Sequence, residues 1–339
     1  MHVISTTNVN QALSEAMWWL HTAGVEEQSR NGPVLVAPGP VCTVYNRPTE
    51  RVLFSALRDA NPFFHFFEAT WMLAGRNDVA FPALFNSKIG QYSDDGKTFW
   101  GAYGYRWRHT FGYDQLDVIV TELKKNPESR RCVLSMWNAY EEDPPVGKAS
   151  DGDLRKAVTG GKDVPCNVGA FFDCRGGVLN MTVLNRSNDA VWGAYGANAV
   201  HFSLLQEYLA TRIGVPVGKY YQFSNNLHVY KSLPNFEALV PSVDVVDYYE
   251  QGLVTPYPLM QTDDETWKRD LHRFLEDPCG DAAYADPFFH DVAAPMAASW
   301  FDRKAKKNDG RLAVEAIKAT DWQRACEQWI RRREEAKNA

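Results

Sequence analysis

An α/β fold is the class this sequence predicts. Helical and extended patterns alternate along the chain, two apolar strands flank a glycine pair near its middle, and 45% of its 339 residues are apolar. A chain of that size buries a sizeable core, and a single large domain accommodates it better than two.

The first helix spans residues 8–24, where Leu13, Ala16, Met17 and Leu20 recur at helical spacing and Gly24 breaks the run. Ser29 to Pro33 is a turn leading into extended Val34-Leu35-Val36. Phe63 to Leu73 is too aromatic and too continuous for a surface helix, so it reads as a buried helix that carries Glu68 and ends at Gly75. Asp94 to Lys97 is a turn, and the aromatic-glycine string Trp100 to Trp107 reads as a loop against a pocket. A helix over 113–125 stops at Asn126-Pro127, and Arg131 to Trp137 is a strand. Glu141 to Lys162, with Pro144-Pro145 and Gly160-Gly161, reads as a polar surface insertion. Val168 to Leu184 forms two strands around the Arg175-Gly176-Gly177 turn, and Ala197 to Ile213 a long buried helix. Beyond about residue 240 prolines interrupt the chain repeatedly. It closes with a charged amphipathic helix from Asp321 to Lys337, whose Arg331-Arg332-Arg333 run reads as a solvated end favoured by the helix dipole.

Composition excludes several classes. A net charge of -6 argues against a general nucleic-acid binder, which needs basic excess to displace counterions. No apolar run approaches the roughly 20 residues of a membrane span. Met1 to Ser5 lacks the basic and apolar regions of an export signal, so a cytoplasmic location is expected. The six cysteines show no CxxC spacing and the eight histidines are dispersed, so no metal is expected.

The chemistry centres on Cys166 and on Arg186-Ser187, which a hairpin brings side by side. A thiol beside a guanidinium is pushed toward thiolate, the form that attacks carbon. The same guanidinium can fork onto a phosphate. A cysteine hydrolase using Cys166 with His201 or His228 is a rival reading, but it lacks a local motif.

In order along the chain stand Ser29-Arg30-Asn31-Gly32, Glu68 with Trp71 to Gly75, Tyr103 to Arg108, Ser129-Arg130-Arg131, Trp137-Asn138, Pro165-Cys166, Arg186-Ser187-Asn188-Asp189, Asn198 and Leu227 to Tyr230. With these motifs the chain resembles thymidylate synthase and its relatives, the deoxycytidylate and deoxyuridylate hydroxymethylases, over roughly residues 10–235. The resemblance implies a three-layer fold whose large mixed sheet, flanked by helices, packs against its twin in a homodimer. It also implies a substrate, a pyrimidine nucleoside monophosphate, and a cofactor, 5,10-methylenetetrahydrofolate. Arg130 and Arg131 would cross from the partner subunit to join Arg30, Arg186 and Ser187 around the phosphate. Cys166 would add to C6 of the pyrimidine so that C5 captures the one-carbon unit. Glu68 would relay protons, Tyr103 would help remove the C5 proton, and Asp189 belongs with them in the catalytic group. Asn198 would face the base, His228 and Tyr230 the sugar 3'-hydroxyl, and Asn188 would join them in the substrate-binding set.

Residues 1–240 would then be the catalytic domain, 241–300 its continuation, with Ala294 to Trp300 either a plain linker, the preferred reading, or a closing segment, and 301–339 a C-terminal helical extension. Departures from thymidylate synthase bear on the product. Asn167 stands where those enzymes carry histidine, Asn188 and Leu227 to Tyr230 match the hydroxymethylase forms, and the tryptophan that screens the reactive carbon has no clear counterpart near Ile89 to Tyr92. The Gly193 to Asn198 loop is one residue longer and lacks the aspartate of deoxycytidylate hydroxymethylase. Hydroxymethylation of dUMP is therefore favoured slightly over methylation, and dUMP over dCMP. A catalytically silent nucleotide- or RNA-binding relative is the alternative from another class.

Overall fold

The computed structural model describes residues 1–139, 152–241, 246–280, 282–306 and 310–338. In chain order the first elements are β1 (His2–Thr6), α1 (Val9–Ala23), β2 (Val25–Ser29), β3 (Gly32–Val36), β4 (Val41–Tyr45), α2 (Pro62–Leu73), α3 (Ala80–Phe85), α4 (Tyr103–Arg108), α5 (Gln115–Lys125), β5 (Val133–Ser135) and α6 (Asp153–Val158). There follow β6 (Asn167–Asp173), β7 (Leu179–Asn185), β8 (Asn188–Asp189), α7 (Asn198–Ile213), β9 (Val217–Ser224), β10 (Leu227–Tyr230), α8 (Phe236–Leu239), α9 (Asp264–Glu276), α10 (Ala294–Lys304), α11 (Arg311–Glu315) and α12 (Thr320–Asn338).

A six-stranded mixed sheet runs in the order β1-β4-β9-β7-β6-β5, and a four-stranded one in the order β2-β3-β10-β8. Side chains alternate across the large sheet: Leu179, Met181 and Val183 of β7 are buried, while Asn180, Thr182 and Leu184 between them are not. The buried face packs on α1 and α7, and α2 packs on α7. Twelve of the sixteen residues of α7 are buried, polar Asn198, His201, Ser203 and Gln206 among them. On the opposite face the register aligns Val133, Phe171, Thr182 and Tyr221 in one row. Val133 and Phe171 in that row are 49% and 45% exposed, an unusual setting for large apolar groups on a sheet.

The expected α1, α2, α5, α7, α12 and the β6/β7 hairpin are present within a residue or two of their expected ends. Five readings change. β2 was hidden because it pairs with β3 alone and four of its five residues are exposed, leaving no alternation to read. The 131–137 strand shrinks to Val133–Ser135. Tyr103–Arg108 is helical instead of a loop, and six residues are too few to display a helical period.

The fourth change concerns the polar insertion. Residues 140–151 of it lie outside the described residues, but Asp153 is fully buried. Its carboxylate takes two bonds from the Arg106 guanidinium, at 2.7 and 2.8 Å, and one each from Trp100 Nε1 and the Asn138 N–H. A stretch that reads as solvent-facing therefore supplies a buried countercharge.

The last third of the chain packs onto α2. Trp322 meets Phe66 edge-on at 5.2 Å, Trp329 meets Phe63 at 5.7 Å, and Trp300 lies 5.3 Å from Phe63. Arg332 and Arg333, expected in solvent, instead bind Asp59 at 2.9 and 2.6 Å.

Candidate active site

The β6/β7 hairpin sets Cys166 beside Arg186, whose backbone N–H donates to the Cys166 carbonyl at 2.9 Å. Arg186 turns its side chain back on the same loop, with Nε donating to the Pro165 carbonyl at 2.9 Å and Nη2 to that of Val164 at 3.1 Å. Burial raises the Cys166 pKa, while Arg186 and Arg30 pull it down. The expected thiolate is thus corrected for the free protein: desolvation of a charged sulfur outweighs a guanidinium already committed to two carbonyls.

Tyr103 accepts the Cys166 backbone N–H at 3.3 Å, and burial raises the pKa of its phenol. Gly104 lets this short helix rest on α2, since a Cβ there would lie 2.0 Å from the Met72 carbonyl oxygen. Glu68 sits one turn before Met72. His201 Nε2, on α7, lies 3.0 Å from the Glu68 carboxylate.

Pairing of β8 with β10 places Asp189 opposite His228 and Asn188 opposite Leu227. Asn188 donates through Nδ2 to Ser224 Oγ at 3.0 Å and accepts from Asn198 Nδ2 at 3.1 Å. Asp189 Oδ1 accepts the N–H groups of Val191 and Trp192 at 2.8 and 2.6 Å, whereas Oδ2 is buried without a partner. Burial raises the Asp189 pKa against the pull of those bonds, His228 and Arg58. Arg58 is itself buried, which lowers its pKa to about 10. It donates to the Val191 carbonyl at 2.6 Å and lies over the Trp192 ring at 4.6 Å.

His228 donates through Nδ1 to Asn226 Oδ1 at 2.9 Å, and Asn31 Nδ2 donates to the Tyr230 hydroxyl at 3.4 Å. Arg30, Ser187, Asn226, His228 and Tyr230 line a cleft of about 330 Å³. A neighbouring hollow of about 660 Å³ shares Arg30 and Tyr230 and adds Tyr92, Lys162 and Trp192. Cys166, Arg186, Asn188, Asp189 and Asn198 line neither, nor do Arg130 and Arg131. Both are exposed, and Arg131 borders a separate hollow with Tyr113 and Cys132.

Three groups at the site escaped the sequence reading. Arg58 acts on residues more than a hundred positions away and left no local signal. Trp192 and Tyr92, 55% and 54% exposed, stood in stretches whose other aromatics are core. A further cavity of about 520 Å³ lies beside α12, lined by Arg311, Arg324, Arg331, Glu315 and Glu327 among others. Of its basic groups, Arg311 is bound to Glu334 and Arg324 lies over Tyr248.

Comparison with known proteins now bears on this geometry. The family profile described as thymidylate synthase matches residues 57–241. The chain is similar to the deoxyuridylate hydroxymethyltransferase of Pseudomonas phage M6, 48% identical over 352 residues that take in 99% of this chain and 95% of the relative. It is similar to the deoxyuridylate hydroxymethyltransferase of Bacillus phage SP01 at 39% identity, over 56% of this chain and 49% of the relative. To the thymidylate synthase of Symbiobacterium thermophilum it is 28% identical, over 53% of this chain and 64% of the relative.

Proposed function

Because this chain belongs to the thymidylate synthase family, we propose that it hydroxymethylates dUMP at C5, using 5,10-methylenetetrahydrofolate, as a cytoplasmic homodimer. Transfer of a one-carbon unit to C5 of a pyrimidine nucleotide is the activity its relatives share. The observation that carries the hydroxymethyl product is the end-to-end match to a deoxyuridylate hydroxymethyltransferase, which includes the C-terminal third.

The smaller cleft, lined by Arg30, Ser187, His228 and Tyr230, is where the phosphate and sugar of the nucleotide would sit. Arg30, Arg186 and Ser187 offer donors to a phosphate dianion, which needs several fixed partners to offset lost hydration. His228 and Tyr230 stand at the sugar, and Asn188 with Asn198 at the base. Arg130 and Arg131, exposed and near the Val133 and Phe171 face, would complete the phosphate site of a partner whose sheet packs on this one. Cys166 sulfur bonds C6 as its proton leaves, with Arg186 and Arg30 favouring the anion. Tyr103, tied to the Cys166 backbone, stands where the C5 proton must depart, and Asp189 borders the base.

The larger hollow suits the cofactor: exposed Trp192 and Tyr92 offer flat apolar surfaces to aromatic rings, and Lys162 offers a cation to an acidic tail. When bound, the folate supplies the one-carbon unit. Arg58 holds the Trp192 ring from behind. Six unpaired cysteines are consistent with a reducing compartment, and no helix among the described residues is long and apolar enough to cross a membrane.

Incubation with dUMP and methylenetetrahydrofolate, followed by mass analysis of the nucleotide, tests the product. A gain of CH2O is expected, and a gain of a methylene unit, giving a methyl group, refutes hydroxymethylation. Cys166→Ser should abolish a denaturant-stable adduct with 5-fluoro-dUMP and lower turnover roughly 10⁴-fold or more. Absence of that adduct in the unaltered protein would leave the catalytically silent reading in its place.

A further inference from the structure

We propose that His201 is a positioning residue for Glu68. It holds the carboxylate in the orientation from which Glu68 takes a proton from the water that completes the hydroxymethyl group. The proposal rests on the hydroxymethylase reading above.

His201 stands one turn after Asn198 on α7, so the residue that faces the base and the one that faces Glu68 share a helix face. Its imidazole is buried, its side chain only 4% exposed, and Nε2 lies 3.0 Å from Glu68. The Glu68 side chain is 18% exposed, so this carboxylate has a dry side against His201 and an open side. Neither ring nitrogen of His201 has a hydrogen bond in this state: the contact with Glu68 is close but not aligned. Catalytic hydrogen bonds are often loose before ligands bind and tighten in the complex. A buried imidazole with both nitrogens unmet is costly to keep unless something arrives to align it.

The surroundings fix which partner it can use. His65, one turn before Glu68 on α2, is held neutral by burial, with Arg58 and His201 adding to the effect. Arg58 and the His65 ring both crowd Gly196, in the turn that leads into α7. A cation and a neutral imidazole on that side leave Glu68 as the acid within reach of His201. The Nε2–H can then donate to one carboxylate oxygen while the other faces water.

The step balances without oxidant or reductant. Water oxygen bonds the exocyclic carbon attached to C5, and one O–H bond breaks, its proton passing to Glu68. The displaced electron pair returns through C5 and C6, breaking the C6–S bond and releasing Cys166 as thiolate.

His201→Leu should lower kcat roughly 10²-fold with KM for dUMP within about threefold. The 5-fluoro-dUMP adduct should persist. His201→Gln, which keeps a donor, should recover most of the loss. In a Glu68→Gln background, His201→Leu should cost nothing further, since groups acting as a unit are not additive. Unchanged kcat in His201→Leu, losses that multiply in the double variant, or a rise in KM alone would overturn the proposal. Should His201→Leu not fold, ¹⁵N spectra of the imidazoles keep the test open: the His201 ring signals must move on Glu68→Gln, and unmoved signals overturn it. If the unaltered protein makes no hydroxymethyl product, the functional reading fails while the spectra still judge the contact.

Discussion

Two regions of this molecule bury aspartates and treat them differently. In the C-terminal third, Asp247, Asp286 and Asp321 are at most 2% exposed, and each has both oxygens bonded. Asp286 alone accepts the N–H groups of Gln261, Thr262 and Phe288 and the Thr262 hydroxyl. Around Cys166 and Glu68, Asp189 has one bare oxygen, Asn167 has both amide atoms bare although fully buried, and His201 has both nitrogens bare. A carboxylate bonded through both oxygens ties segments together, whereas one bonded through a single oxygen keeps an acceptor for another donor. Most bare atoms of the C-terminal third, Tyr284 Oη, Ser299 Oγ and Trp329 Nε1, are uncharged and cost less to leave so; the exception is Glu334 Oε1, on a carboxylate whose other oxygen binds Arg311.

The largest expected effect separates the two regions directly. Asp286→Ala strands several buried backbone donors and should destabilise the fold by about 3–5 kcal/mol, with activity per folded molecule preserved. Asp189→Asn keeps the acceptor for Val191 and Trp192, so thermal unfolding should hardly change, while turnover falls roughly 10²- to 10³-fold. Unfolding curves and kcat measured on both variants decide it. The opposite pairing of effects would erase the distinction.

Asp321 sharpens the contrast from within the C-terminal third. It is bonded, yet burial raises its pKa from 3.8 to about 6. The folded state therefore binds this proton more tightly than the unfolded one. Its stabilising contribution is complete below about pH 4 and is lost as pH rises through about 6, a difference of roughly 3 kcal/mol. Denaturant titrations from pH 4 to 8 should show that decline flattened in Asp321→Asn. An unaltered slope would mean that the carboxyl is better solvated than its burial suggests.

A smaller effect is expected on the outward face of the sheet. Phe171→Asp sets a charge where the partner's sheet would pack and should yield monomers in sedimentation runs, with activity reduced about 10- to 100-fold through loss of the crossing arginines. A dimer that survives the change would place the interface elsewhere.

Much of this was legible in the chain. The hairpin, the Glu68 helix and α7 were readable because long apolar runs ended at glycine or a turn. β2 and α4 were not, the first exposed along nearly all its length and the second only six residues long. The pairing of Cys166 with Arg186 followed from the hairpin. Arg58 against Asp189, and His201 as the neighbour of Glu68, depend on contacts between distant segments, which leave no periodic trace.

The balance at Cys166 was also beyond the sequence, and it yields the smallest prediction. Proximity to Arg186 favours thiolate, but burial costs the anion more, and the net pKa is raised. The free protein should therefore hold a thiol at neutral pH, and its alkylation by iodoacetamide should rise about tenfold per pH unit up to at least pH 9. Arg186→Gln should slow that reaction a further few-fold, because the remaining pull from Arg30 is the weaker one. A plateau below pH 8 would show that the guanidinium prevails after all.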